Sequence, residues 1–65
     1  MTLTINGESR EIPVKTIPDL LEALGLPIAA ALVEHNGEAL RRTEWEGRAL
    51  QDGDRIEIIR VVAGG

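Results

Sequence analysis

Cysteine, phenylalanine and tyrosine are absent from this 65-residue chain, and Trp45 is its single aromatic residue. Without cysteine there is no disulfide framework, no thiolate metal site and no thiol nucleophile, and the composition suits a reducing compartment. One aromatic residue provides no platform on which nucleobases could stack. Basic residues are few. Seven Lys and Arg against eleven Asp and Glu leave a net charge of −4, and apart from Arg41-Arg42 they stand singly. That balance offers no footprint for a phosphate backbone and favours protein partners with a basic docking surface. No apolar stretch approaches the ~20 residues of a membrane helix, and Met1 to Gly7 has neither the basic start nor the apolar run of a signal peptide. The expected location is the cytoplasm, with no membrane and no nucleic acid among the partners.

A chain of 65 residues is one domain, and a domain this small buries only about 60% of the surface its unfolded chain exposes. A cleft deep enough to wrap a substrate would consume much of that core. An autonomous enzyme is therefore not expected.

Met1, Leu3 and Ile5 alternate with Thr2, Thr4 and Asn6, the period of a half-buried strand, and Asn6-Gly7 is a hairpin signal because both positions tolerate positive φ. Arg10, Ile12 and Val14 share one parity and continue a second strand, placed at a sheet edge by Pro13, which has no N–H to give. Thr16 opens a helix, with Asp19 three residues on and Pro18 in the first turn. Ile17, Leu20, Leu21 and Leu24 form its apolar stripe, Leu21 and Leu24 being the expected deepest contacts, and Gly25 and Pro27 end it. Ala29 to His35, with Leu32 and Val33, suits a buried central strand. Asn36-Gly37 is a second turn, followed by a brief strand at Ala39-Leu40. Thr43 to Arg48 reads as a loop or single helical turn carrying Trp45 as a satellite core anchor, and Leu50 as a core anchor. Asp52-Gly53-Asp54 then turns the chain into a last strand from Arg55 to Val62.

This order predicts an α+β fold of the β-grasp type: a mixed sheet of four to five strands with one helix across one face, residues 1–62, and a tail of residues 63–65. Within the last strand Ile56, Ile58 and Val62 oppose Ile59 and Val61. If the first set faces the helix, the second lies on the open face. Ile59, Val61 and Ala63 are then the candidate partner-docking residues beside Gly64-Gly65, because contiguous exposed apolar surface marks interaction sites.

Other polar residues carry less. His35 lacks a second histidine or a carboxylate cluster at ligand spacing, so it reads as a strand-end residue and no metal site is expected. Glu44 and Glu46, and Asp52 with Asp54, could be taken for paired carboxylates, but Asp-Gly-Asp is better explained as turn chemistry. Arg41-Arg42 reads as a solvated pair. No catalytic residue is assigned.

Ala63-Gly64-Gly65 has almost no side chain to pack. A chain end without Cβ atoms can thread a narrow channel and bring its carboxylate to a nucleotide phosphate in another protein. A free carboxylate is a poor electrophile, and an acyl adenylate makes acyl transfer feasible. Leu50-Gln51-Asp52-Gly53-Asp54-Arg55-Ile56-Glu57-Ile58 running to Val61-Val62-Ala63-Gly64-Gly65 resembles the C-terminal signature of the ThiS family, the thiamine-biosynthesis sulfur carriers. So do Ile5-Asn6-Gly7-Glu8, Asn36-Gly37-Glu38, and Arg42 ahead of Trp45. Leu40-Arg41-Arg42 departs from it, since many relatives carry a proline before the arginine.

The resemblance implies that an E1-like adenylating enzyme uses ATP on the Gly65 carboxylate and that a persulfide sulfur donor converts the adenylate to a thiocarboxylate. Thiazole synthase would then take that sulfur. It implies a carrier that acts as co-substrate, binds no cofactor itself and is monomeric when free. Two other readings share the residues: the same carrier chemistry for another acceptor (molybdopterin, tRNA thiolation or protein modification), and a non-catalytic β-grasp interaction module.

Overall fold

The computed structural model describes residues 1–61. Strand β1 (Thr2–Ile5) buries Leu3 and Ile5, and turns through Asn6 and Gly7 into β2 (Glu8–Glu11). Both turn residues have positive φ, 49° and 83°, the geometry whose twist matches paired strands. The register runs from Ile5 opposite Glu8 to Thr2 opposite Glu11. The second strand ends at Glu11, three residues short of the expected Val14. The Ile12 amide donates to the Met1 carbonyl at 2.9 Å, after which the Val14 amide donates to the Ile12 carbonyl at 3.0 Å. Pro13 has no N–H with which to extend the ladder, so the chain bends tightly around it. Ile12 and Val14 therefore both enter the core.

Helix α1 (Ile17–Ala23) starts as its sequence requires: the Thr16 hydroxyl accepts from the Asp19 amide at 3.2 Å, with proline in the first turn. It ends on Gly25 at φ 71°. The Gly25 amide donates to Glu22 and the Leu26 amide to Leu21, at 3.0 and 2.9 Å, which satisfies two of the last carbonyls. Ile17, Leu20 and Leu21 are fully buried, whereas Leu24 sits at the helix end and is only partly buried. The expectation that Leu24 is among the deepest contacts is thus corrected. One turn past the middle of so short a helix, its side chain reaches the rim of the sheet, not its centre.

A 3₁₀ turn (Ile28–Ala30) leads into β3 (Ala31–His35), a second positive-φ turn at Asn36 and Gly37, and β4 (Glu38–Leu40). A second 3₁₀ turn (Arg42–Glu44) precedes Trp45, which is 2% exposed and belongs to the main core, not to a satellite of it. Leu50 is buried, and β5 (Arg55–Arg60) closes the sheet. The strand order is β2-β1-β5-β3-β4, with β5 parallel to β1 and antiparallel to β3. The last element in sequence is therefore the central strand, the arrangement of a β-grasp domain. One face packs on α1. The other stays open, and Leu32 is 56% exposed on it, so β3, expected as a buried central strand, is an interior strand beside β5 that is buried on one face only. The expected boundary between the domain and the tail at residues 62 and 63 lies outside the described residues.

Candidate functional site

The candidate site is the C-terminal half of β5 with the surface around it, and two sets of hydrogen bonds hold that strand. At its start, Asp54 is a hub. Its carboxylate meets His35 Nε2 at 2.7 Å, accepts from Asn36 Nδ2 at 3.1 Å, and accepts from the Gln51 amide at 2.9 Å. The Asn36 Oδ1 in turn accepts from the Arg55 amide at 2.8 Å. Burial alone would push the Asp54 carboxyl up, but the hydrogen bonds from His35, Asn36 and Gln51 outweigh it and hold the group below its ordinary value. The Asp-Gly-Asp turn is also stitched to β1: the Thr2 amide donates to Asp52 Oδ1, and the Gly53 amide to the Thr2 carbonyl, both at 2.8 Å. Turn chemistry is what both carboxylates perform, and Asp54 adds a contact with a buried histidine that sequence spacing did not bring out.

Toward the other end, β1 turns away after Ile5, and the Asn6 side chain takes over its pairing. Asn6 Oδ1 accepts from the Ile58 amide at 2.7 Å, and Asn6 Nδ2 donates to the Ile58 carbonyl at 3.1 Å. One asparagine therefore serves as both a turn residue and a surrogate strand residue. On the opposite edge of β5 the Val61 amide donates to the Ala30 carbonyl at 2.6 Å. The strand is pinned up to Ile58 on the β1 side and, on the β3 side, as far as Val61.

The parity expected for the last strand holds among the described residues. Ile56 and Ile58 are buried, while Ile59 and, just past the strand end at Arg60, Val61 are 55% and 47% exposed on the open face. Val62, expected with the buried set, lies outside the described residues. The structure adds Leu32, whose Cα is paired with that of Ile59, and Ile28 in the preceding 3₁₀ turn, also exposed. Neither could be assigned from sequence, because which residue of β3 stands opposite Ile59 depends on the register of a non-local pairing. Ala63, Gly64 and Gly65 lie outside the described residues. His35 is buried against Asp54, and among the described residues no group of three or more His, Cys, Asp or Glu side chains is placed to hold a metal ion. Arg41 and Arg42 are both exposed, and Arg42 donates to the Ala29 carbonyl at 3.3 Å, tying the two 3₁₀ turns together. On the helix side a groove of about 250 Å³ is lined by Ile5, Asn6, Leu24, Leu26 and Ile58, with Glu8 and Arg10 at hand.

A central last strand and one helix across one face of a five-stranded mixed sheet define a ubiquitin-like β-grasp domain. The model of the ThiS family matches residues 3–65, and the chain belongs to that family. It is 36% identical over 61 residues to the sulfur carrier protein ThiS of Thermus thermophilus, covering 94% of this chain and 95% of the relative. The crystal structure of a thiamine biosynthesis protein (ThiS) from Geobacter metallireducens superposes with a TM-score of 0.84 at 32% identity, over 100% of both chains. A thiazole synthase of Paramagnetospirillum magneticum is 36% identical over 66 aligned positions, which span all of this chain and 20% of that protein.

Proposed function

We propose that the chain is a sulfur carrier of thiamine biosynthesis and that its working group is the Gly65 carboxylate. An adenylating enzyme uses ATP to turn that carboxylate into an acyl adenylate. A persulfide donor supplies the sulfur that replaces the adenylate, leaving a thiocarboxylate, and thiazole synthase consumes it. The chain is a co-substrate that keeps the sulfur bound and addressable, and the nucleotide belongs to the partner. The observation that carries this reading is the family match through residue 65, which takes in Gly64 and Gly65. The match of the whole chain to one fifth of a protein named thiazole synthase supports that enzyme as the acceptor. The exposed Ile59 and Val61 on the strand that leads to the tail support a docking surface there.

The test is ATP–pyrophosphate exchange by the cognate adenylating enzyme with the wild-type chain, a chain lacking Gly65, and a chain with one residue added after it. One extended residue moves the reacting carbon by about 3.3–3.6 Å, and a displacement of even about 1 Å can cost on the order of 10²-fold in rate. Both altered chains should fail to be activated while melting at the wild-type temperature. An extended chain activated as fast as wild type would favour the interaction-module reading instead.

A further inference from the structure

The two Asn-Gly turns hold β5 at different points. Asn36, at φ 51°, holds the start of the strand: its Oδ1 accepts from the Arg55 amide at 2.8 Å and its Nδ2 donates to Asp54 Oδ1 at 3.1 Å. Asn6, at φ 49°, holds the strand three residues beyond Arg55, with one hydrogen bond to each backbone group of Ile58. Backbone groups along a strand point alternately to its two neighbours. The Ile56 carbonyl faces β1, where it accepts from the Asn6 amide at 2.9 Å, and the Val61 amide faces the other way, toward the Ala30 carbonyl. The Arg60 backbone therefore faces the β1 side with Ile56 and Ile58. Strand β1 ends at Ile5, and among the described residues no hydrogen bond reaches Arg60 from that side. Asn6 is thus the last anchor on the β1 side, and beyond Ile58 the described strand is held from the β3 side only.

We propose that Asn6 is a positioning residue for the activation of Gly65. It acts through Ile58, by fixing the direction in which β5 leaves the domain. Asparagine suits this position because it tolerates positive φ and carries both an acceptor and a donor on one short side chain. Without that side chain, pairing on the β1 side stops at Ile56, which adds about 7 Å of strand to the segment held from one side. The reacting carbon lies seven residues beyond Ile58, so a swing of the strand about its β3 edge changes where the chain end is delivered. In a complex that grips the body of the domain, such a swing lowers the share of complexes in which the carboxylate meets the nucleotide phosphate, and the rate falls with that share. The surfaces that touch the partner keep their residues. The effect therefore falls on kcat and not on KM. This inference rests on the carrier reading, since the rate it concerns is the activation of Gly65.

The deciding experiment measures ATP–pyrophosphate exchange by the cognate adenylating enzyme against carrier concentration, at a temperature where Trp45 fluorescence shows the variants folded. It compares the wild type with Asn6→Gly, Asn36→Gly and Asn6→Asp. The two glycine variants are matched, since each accepts its positive φ without strain and each loses two side-chain hydrogen bonds. Asn6→Gly should lower kcat about tenfold with KM within about twofold of wild type, and its Ile58 amide should lose protection from hydrogen exchange. Asn36→Gly should melt lower but keep a wild-type kcat, because Arg55 stays paired with Thr4 of β1 and the Asn6 anchor is intact. Asn6→Asp keeps an acceptor for the Ile58 amide and loses the donor to its carbonyl. Its kcat should fall between those of wild type and Asn6→Gly, and it carries the test if Asn6→Gly does not fold. A wild-type kcat in every folded Asn6 variant, an equal fall in the two glycine variants, or a raised KM with unchanged kcat overturns the positioning role while leaving the carrier reading in place. A wild-type chain that supports no exchange at all overturns the carrier reading and this inference with it.

Discussion

Leu21→Ala and Leu24→Ala remove the same atoms from the same stripe of α1, yet they should differ sharply. Leu21 is fully buried beneath the sheet, while Leu24 lies at the helix end beside a groove and is partly buried. Truncating a fully buried leucine costs about 2–5 kcal/mol, part of it for the cavity left behind. Leu24 lines a groove open to solvent, so little new cavity forms, and the lost burial of a side chain that is already partly exposed is about 1 kcal/mol. A core this small supplies roughly 3–5 kcal/mol in all. Leu21→Ala should therefore be substantially unfolded at room temperature, and Leu24→Ala should retain a cooperative transition at a lower denaturant midpoint. Trp45, the sole aromatic residue and 2% exposed, gives a fluorescence signal for urea titrations of both. Equal destabilisation by the two substitutions would refute the assignment of depth along the helix.

Three further outcomes follow from other contacts. Asp54, whose carboxyl is held below its ordinary value despite its burial, contributes stability that is complete above its unfolded pKa of about 3.9 and is lost as pH falls through the lower folded value. Urea midpoints measured from pH 7 to pH 2 should show that loss in the wild type, and Asp54→Asn should be weaker at pH 7 with a flatter profile. Asn6→Ala leaves both backbone groups of Ile58 without their partner and forces alanine to φ near 49°; a loss of about 1–3 kcal/mol in equilibrium unfolding is expected, and no loss would mean the Ile58 bonds are dispensable. Ile59→Asp puts a charge on an exposed position, where it stays hydrated until a partner covers it. Its melting temperature should match wild type while affinity for the adenylating enzyme falls, and unfolding without partner would place Ile59 on the wrong face.

Local chemistry was legible where it is local. Asn6-Gly7 and Asn36-Gly37 predict their turns because few other residues accept positive φ at two consecutive positions. Thr16 and Asp19 fix the start of the helix and Gly25 its end, since capping uses neighbours in the chain. The alternation in Arg55 to Val61 separated the buried isoleucines from Ile59 and Val61 once one face was assumed to be covered. The family resemblance carried by the Asp-Gly-Asp turn and Gly64-Gly65 also needed nothing beyond the chain.

Tertiary structure decided what depends on residues far apart in sequence. Ile12 and Val14 read as strand by parity, but the lost donor at Pro13 and the space beneath the sheet made them core after a tight bend. Leu32 looked buried because it stands with Val33 in an apolar run, and it is exposed because a single helix can cover only one face. The Asp54–His35 contact and the Asn6 bridge to Ile58 join residues 19 and 52 positions apart. Their existence follows from the placement of β5 between β1 and β3. The same placement sets Glu34 across from Glu57, a juxtaposition that hydrophobic period and charge count cannot specify, because register is fixed by which faces the whole sheet must bury.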